Sequence, residues 1–309
     1  MSAGKDRMAQ LREIRRRIRS VHETQKITRA MKMVAAAKLR RAQEAMQAMR
    51  PYAQRLRTLI GRIALDIFGD EHPLFLARKE RKGASGTLVI AGDKGLCGGF
   101  NSNLIRFSLQ HMAAKKGAPQ QVWTVGKRAT SSMRKAGYEI VANYHDVFDS
   151  LSYPFSQGLC DQFVDRYMKG SLDSVSMVYN EFITVMSQKL VERPLLPIDF
   201  DEIRATRREE ELKRREAGDE KRRDLYEVEP NAEAALRVLV GRLLATQVHH
   251  ALLESYAAEL GARMSAMDNA TNNASEMIES LTMEFNRARQ TAITAELLDI
   301  VGGAAGLGG

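Results

Sequence analysis

Seven prolines occur in this chain, and all of them lie between residues 51 and 230: Pro51, Pro73, Pro119, Pro154, Pro194, Pro197 and Pro230. Proline inside a helix removes a backbone hydrogen bond and clashes with the preceding turn, at a cost of roughly 3 kcal/mol. The first 50 and last 79 residues are therefore free to form long helices, and the middle is not. At 1.5 Å per residue, arms of about 50 and 70 residues reach about 75 and 105 Å. Two such arms flanking a proline-containing middle suggest helices that are distant in sequence and paired in space.

The first arm repeats apolar residues in a 3–4–3 pattern at Leu11, Ile14, Ile18 and Val21, with arginines between them. This is the stripe of a coiled coil. The seam then softens to Gln25 and Thr28. Met31, Met33, Val34, Ala35, Ala36 and Ala37 follow, residues that permit close helix approach without a deep interlock. Pro51 and Tyr52 mark a kink or a second helix that runs to about Gly61. The second arm starts after Pro230, with Asn231 as N-cap and Glu233 in the first turn. Its stripe runs through Leu236, Leu239, Leu243, Leu253, Tyr256, Leu260, Met264 and Met267. It then continues through Ala274, Ile278, Leu281, Phe285, Ala288 and Ala292, and Gly302 and Gly303 are expected to stop it.

The middle alternates short β-type runs, at 87–91, 122–125, 138–141 and 175–179, with helical stretches near 102–116, 127–136 and 157–169. That order predicts a small, largely parallel three-layer domain. The fold expected is therefore α/β plus a long α coiled coil. The arms 1–61 and 231–309 would make the coil, 62–200 a Rossmann-like βα domain, and 201–230 a charged linker. Residues 201–229 hold nine Lys+Arg and eleven Asp+Glu with few apolar positions, the composition of a solvated helix or linker.

Charge is unevenly placed. Residues 1–60 carry 16 Lys+Arg against four Asp+Glu, a balance of +12 in a chain whose total is +9. The first arm should therefore seek an acidic surface, which composition leaves open as nucleic acid, anionic lipid or acidic protein. Arg12, Arg15, Arg16, Arg17 and Arg19 resemble a basic region, yet the stripe weakens after Val21 where a basic zipper would strengthen. No zinc or aromatic pattern accompanies it, so nucleic acid is disfavoured. No apolar h-region follows Met1, and no uncharged apolar run approaches the roughly 18 residues of a membrane span.

Candidate chemistry is sparse. Gly92–Asp93–Lys94–Gly95–Leu96–Cys97–Gly98–Gly99 follows a strand and precedes a helix, the usual place of a phosphate loop. It nevertheless matches neither the Walker pattern nor GxGxxG, so a tight structural turn is the better reading. Cys97, with His111 or His145 as base, has no spacing that supports a nucleophile, and a small packing residue is expected there. Only Cys97 and Cys160 occur, which fits a reducing compartment. His249 and His250 project about 100° apart on a helix and cannot share a metal. Asp146, Asp149, Asp161 and Asp165 fit no metal motif. No catalytic centre, cofactor site or metal site is expected.

Three segments carry a family resemblance. Gln25–Lys26–Ile27–Thr28–Arg29–Ala30–Met31–Lys32–Met33–Val34–Ala35–Ala36–Ala37–Lys38–Leu39 resembles the N-terminal signature of the gamma subunit of F-type ATP synthases. Gly95–Leu96–Cys97–Gly98–Gly99–Phe100–Asn101 is similar to that family's central loop. Asn286–Arg287–Ala288–Arg289–Gln290–Thr291–Ala292–Ile293–Thr294, with Glu296 and Ile300–Val301–Gly302–Gly303–Ala304, is similar to its C-terminal signature.

The resemblance implies an antiparallel coiled coil standing inside a ring of three alpha and three beta subunits. Its Rossmann-like foot would bind the epsilon subunit and the membrane c-ring, on the cytoplasmic face of a bacterial plasma membrane. It implies a non-catalytic rotor shaft that couples ion-driven c-ring rotation to ATP synthesis or hydrolysis at beta. Met31, Arg263, Gln290 and Thr294 would match positions touching the beta lever or the inner surface of the ring. Lys26, Arg29 and Lys32 would face the acidic lever, and Leu297 and Ile300 would belong to a tip turning in an apolar sleeve. The chloroplast regulatory insertion is absent. Beside the rotor stands the alternative of a cytoplasmic coiled-coil scaffold with a degenerate nucleotide-fold domain. A static scaffold favours strong Leu/Ile heptads, and residues 25–37 do not supply them.

Overall fold

The computed structural model describes residues 2–67, 83–115, 119–199 and 231–307, together with Leu74, Ala205, Arg208, Leu212 and Glu229; side chains at 2–7, 61–67, 232–234, 236–237 and 299–307 are not described. The expected linker at 201–230 thus lies almost wholly outside the described residues. Two compact units are present. One joins Met1–Ala36 to Arg263–Gly309, and the other spans Ala37–Ala262.

The first unit is built from the N-terminal part of helix α1 (Ser2–Ile67) and the C-terminal part of helix α5 (Ala232–Leu307). Their pairing is antiparallel, because partners advance along α1 as they recede along α5: Arg15 with Phe285, Gln25 with Ser275, Thr28 with Thr271, Lys32 with Asp268. Buried or half-buried positions fall on Leu11, Ile14, Ile18, Val21, Gln25 and Thr28 in α1. In α5 they fall on Met267, Thr271, Ala274, Ile278, Leu281, Phe285, Ala288 and Ala292. That is the 3–4 repeat expected of a coiled-coil seam. Between Met31 and Ala37 only Ala35 is fully buried and Met31 and Lys32 are half-buried, while Met33 and Val34 are 62% and 57% exposed. The heptad phase turns them outward, so they widen the apolar surface of the helix rather than loosen its seam.

The second unit holds a five-stranded sheet of β1 (Ala84–Ile90), β2 (Gln120–Val125), β3 (Glu139–Tyr144), β4 (Leu172–Phe182) and β5 (Gln188–Leu196). Its order is β3-β2-β1-β4-β5, with β1 to β4 parallel and β5 antiparallel to β4. Helices α2 (Phe100–Ala114) and α3 (Lys127–Lys135) cover one face through Leu104, Met112, Ala129 and Met133. Helix α4 (Tyr153–Met168) covers the other, together with residues 56–60 of α1 and 240–252 of α5. Trp123 anchors that face, edge-on to Phe163 at 5.0 Å with the Arg166 guanidinium over its ring. The three layers agree with the parallel α/β domain read from the sequence.

Four expectations change. Strand β5 escaped notice because Lys189, Glu192, Arg193 and Pro194 disguise it. It is an edge strand, where proline is tolerated and charge protects the open edge. Helix α1 does not break at Pro51 but runs on to Ile67, with the proline on the exposed side and Leu56 and Ile60 buried on the other. Gly302 and Gly303 do not stop α5, which continues to Leu307. Finally, residues 240–261 of α5 form no coiled-coil stripe. Val240, Leu243, Leu244, Ala245, Thr246 and Val248 are all buried and point around most of the circumference, as in a helix inside a core. Residues 37–61 and 231–262, grouped by sequence with the coil, therefore lie in the unit that holds the sheet.

Candidate functional site

The crevice where a doubly wound sheet would hold a phosphate is filled by the chain itself. Asp93, at the C-terminal end of β1, accepts the backbone N–H of Lys127 at 3.0 Å and of Asp146 at 3.0 Å. Its carboxylate thus sits at the first turn of α3, where an anion would bind. Asn101 pins the rest of the loop: its Oδ1 accepts Gly92 N–H at 2.9 Å, and its Nδ2 donates to Lys94 O at 3.1 Å and to Cys97 Sγ at 3.2 Å. A Cβ on Gly92 would come within 2.8 Å of the Glu259 carboxyl, so α5 packs directly against the loop. The structural-turn reading is the one the geometry supports, and Cys97 is a buried packing residue in a small cluster with Phe100 and Ala258.

The remaining reactive groups are likewise engaged structurally. Burial pushes the Cys160 thiol far above its usual range. His249 and His250 diverge as expected: His249 Nδ1 meets Ser156 Oγ at 2.9 Å, and His250 Nδ1 meets Glu254 at 3.4 Å. Burial holds His249 below its ordinary pKa, with His250 adding to the depression. Among the described residues no group of three or more His, Cys, Asp or Glu is arranged to hold a metal.

What distinguishes the helical unit is a ladder of polar layers in its seam. Gln25 Nε2 donates to Ser275 Oγ at 2.7 Å, Thr28 and Thr271 hydroxyls meet at 2.8 Å, and the Lys32 ammonium pairs with Asp268. Each threonine also bonds a carbonyl in its own helix, Gln25 O for Thr28 and Met267 O for Thr271. Such layers fix register and contribute less apolar burial than leucine layers would. Outside the seam, Ile27, Met33 and Val34 on α1 and Met277 and Met283 on α5 are exposed apolar residues interleaved with charge.

The chain matches the family model described as ATP synthase over residues 10–307. The ATP synthase gamma chain of Pelotomaculum thermopropionicum is 43% identical over 300 residues, covering 97% of this chain and 100% of that one. The gamma chain of Salinibacter ruber is 44% identical over 306 residues, covering 97% and 99%. This chain belongs to the ATP synthase gamma-chain family. Among solved structures, a chain of the Euglena gracilis mitochondrial ATP synthase superposes with a TM-score of 0.65 at 21% identity, covering 97% of this chain and 95% of that one. A chain of the Tetrahymena thermophila central stalk gives 0.58 at 24% identity, covering 79% and 99%. These two likenesses extend the agreement in fold.

The residues singled out by sequence lie at different depths. Lys26 and Arg29 are exposed on α1, and Lys26 pairs with Glu23 at 3.0 Å. Met31 and Lys32 are half-buried at the edge of the seam, where Lys32 is already engaged by Asp268. Arg263 is half-buried and makes interactions of its own. Gln290 and Thr294 lie one turn apart on an exposed face, the threonine hydroxyl donating to Gln290 O at 3.0 Å, and Leu297 is 57% exposed. Ile300 lies in α5, with its side chain outside the described residues. Sequence reasoning missed the outward stripe of Ile27 and Val34. The signal was their i, i+7 spacing, one position out of phase with the seam.

Proposed function

We propose that this chain is the central rotor shaft of a proton-transporting ATP synthase and has no catalytic site of its own. The observation that carries the reading, beside membership of the family, is the antiparallel helical unit. Its seam is stapled by polar layers, and its outer faces are basic and apolar. In this reading the shaft stands within a ring of three alpha and three beta subunits, with the α/β unit against the epsilon subunit and the c-ring. The complex sits at the cytoplasmic face of a bacterial plasma membrane. Among the described residues no helix is long and apolar enough to cross a membrane, so attachment through partners is proposed.

Work is transmitted as differential binding. Each angle of an asymmetric shaft must stabilise one beta conformation over another by several kcal/mol for the sites to pass through different affinities in turn. One charge crossing 100 mV supplies about 2.3 kcal/mol, so several ions are summed into each ATP. Lys26, Arg29 and Met31 are assigned to the beta lever. Lys32 stands beside them but spends its charge on Asp268, which makes it a register element of the coil as well. Arg263, Gln290, Thr294, Leu297 and Ile300 are assigned to contact with the inner ring.

Co-purification tests the proposal. Recovery of one copy of this chain per three alpha–beta pairs is expected, with ATPase activity dependent on its presence. A chain that does not associate with alpha and beta refutes the reading.

A further inference from the structure

We propose that Lys38, Phe148, Asp149 and Tyr256 form a collar that holds the angular register of α1 against the α/β unit, so that torque passes from helix to sheet without slack. The proposal rests on the rotor reading above and assigns a positioning role to residues which that reading leaves unused. All four lie in the Ala37–Ala262 unit.

Three elements meet at one point. Lys38, on the first turn of α1 within this unit, places Nζ 2.8 Å from the Asp149 carboxylate on the 3-10 turn Val147–Asp149. The hydrogen bond from Lys38 holds Asp149 below the usual carboxylate range. The same bond raises Lys38, and the Tyr256 hydroxyl of α5 also faces the ammonium. Beside the ion pair, the Phe148 ring stacks on Tyr256 at 5.0 Å and 7°.

The turn is in turn fixed to the sheet. Asp146, just before it, donates its backbone N–H to Asp93 at the end of β1, and its carboxylate pairs with Lys127 of α3 at 2.8 Å. A continuous path of directional contacts therefore runs from α1 through the turn to β1 and α3. Directional contacts matter here because the next buried positions of α1 include the small Ala42 beside Leu39. A methyl group gives little resistance to rotation of a helix about its own axis, whereas the Lys38–Asp149 salt bridge, off that axis, does, and the Phe148–Tyr256 stack fixes to α5 the turn that carries Asp149.

The Lys38 and Asp149 side chains are 43% and 56% exposed, so their pair contributes little to folding. The substitutions should therefore leave the chain folded and alter only its behaviour under load. The test uses the complete ATP synthase in inverted membrane vesicles, with Lys38→Met, Asp149→Asn and the charge-reversed pair Lys38→Glu/Asp149→Lys. ATP hydrolysis with the gradient collapsed is expected to stay at the unaltered rate. The maximal ATP-driven proton gradient is expected to fall by about twofold to fivefold in each single variant, within the range an exposed ion pair can govern. The reversed pair should restore most of it.

Single variants that sustain the full gradient overturn the collar. So does a loss that follows only the amount of assembled complex, or a reversed pair no better than the single changes. An unaltered chain that supports no coupled pumping overturns the rotor reading and the collar together, which separates the two failures.

Discussion

Two glycines in left-handed conformations, Gly126 and Gly137, allow the packing of the α/β unit to be tested against backbone strain alone. Gly126 precedes α3 at φ +92° and ψ 139°, and Gly137 follows it at φ +82°. A Cβ on Gly137 meets nothing within 4 Å, so Gly137→Ala should cost only the left-handed conformation, about 1 kcal/mol. A Cβ on Gly126 would overlap the Ala91 carbonyl oxygen and lie 2.8 Å from the Ala91 carbonyl carbon, and neither can yield without moving β1.

That movement strains two hydrogen bonds, Ala91 N–H to Val125 O at 2.9 Å and Gly126 N–H to Tyr144 O at 2.8 Å. With about 1 kcal/mol for each bond and ~2 kcal/mol for the backbone conformation, Gly126→Ala should lose about 4 kcal/mol. This is a large fraction of the roughly 5–15 kcal/mol that stabilises a domain. Urea unfolding followed by fluorescence reads this unit selectively, because Trp123 is the only tryptophan and is fully buried in its core. With a slope of about 2 kcal/mol/M, midpoints should fall by about 0.5 M for Gly137→Ala and about 2 M for Gly126→Ala. Equal shifts in the two variants would refute the packing argument and leave conformational strain as the whole effect.

Met31→Lys adds a cation at the edge of the seam and should lower ATP-driven pumping more than it lowers assembly; equal losses would count against a lever contact. Replacing both seam threonines, Thr28→Val with Thr271→Val, removes the two partners together and should leave thermal stability within about 1 kcal/mol; a large loss would show that the hydroxyl pair itself holds the coil. His249 has a depressed pKa because burial disfavours its charged form, so the unfolded chain binds the proton first as pH falls below 6.5. Its contribution is complete above pH 6.5 and declines from there down to the depressed folded value. His249→Gln should flatten that part of the stability profile measured by urea titration, and an unchanged slope would refute the assignment.

Much of the site was legible in the chain because coiled coils and parallel sheets both report a local period. The 3–4 repeat from Leu11 and from Ala274 marks the seam directly. The short runs at 87–91 and 122–125 mark strands buried on both faces. Lys38 and Asp149 were not legible as partners, since 111 residues separate them and neither belongs to a pattern. Nor was the role of Asp93, whose two backbone partners, at the start of α3 and in the loop after β3, are brought together only when β1, β2 and β3 align.

The sequence alone determined that both ends are helical, that the first arm is basic, and that the seam of the coil turns polar at Gln25 and Thr28. These follow from proline placement, charge and periodicity, all of them local properties. Tertiary structure decided where the helices stop belonging to a coil and become part of a core. Residues 240–261 carry apolar groups around most of the helix, and only the sheet, α4 and α1 packed about them satisfy those faces. It also decided that Pro51 bends to its context: one missing N–H on an exposed side is outweighed by Leu56 and Ile60 buried on the other. Local rules set what each segment can form, and burial selects which of those forms the whole chain adopts.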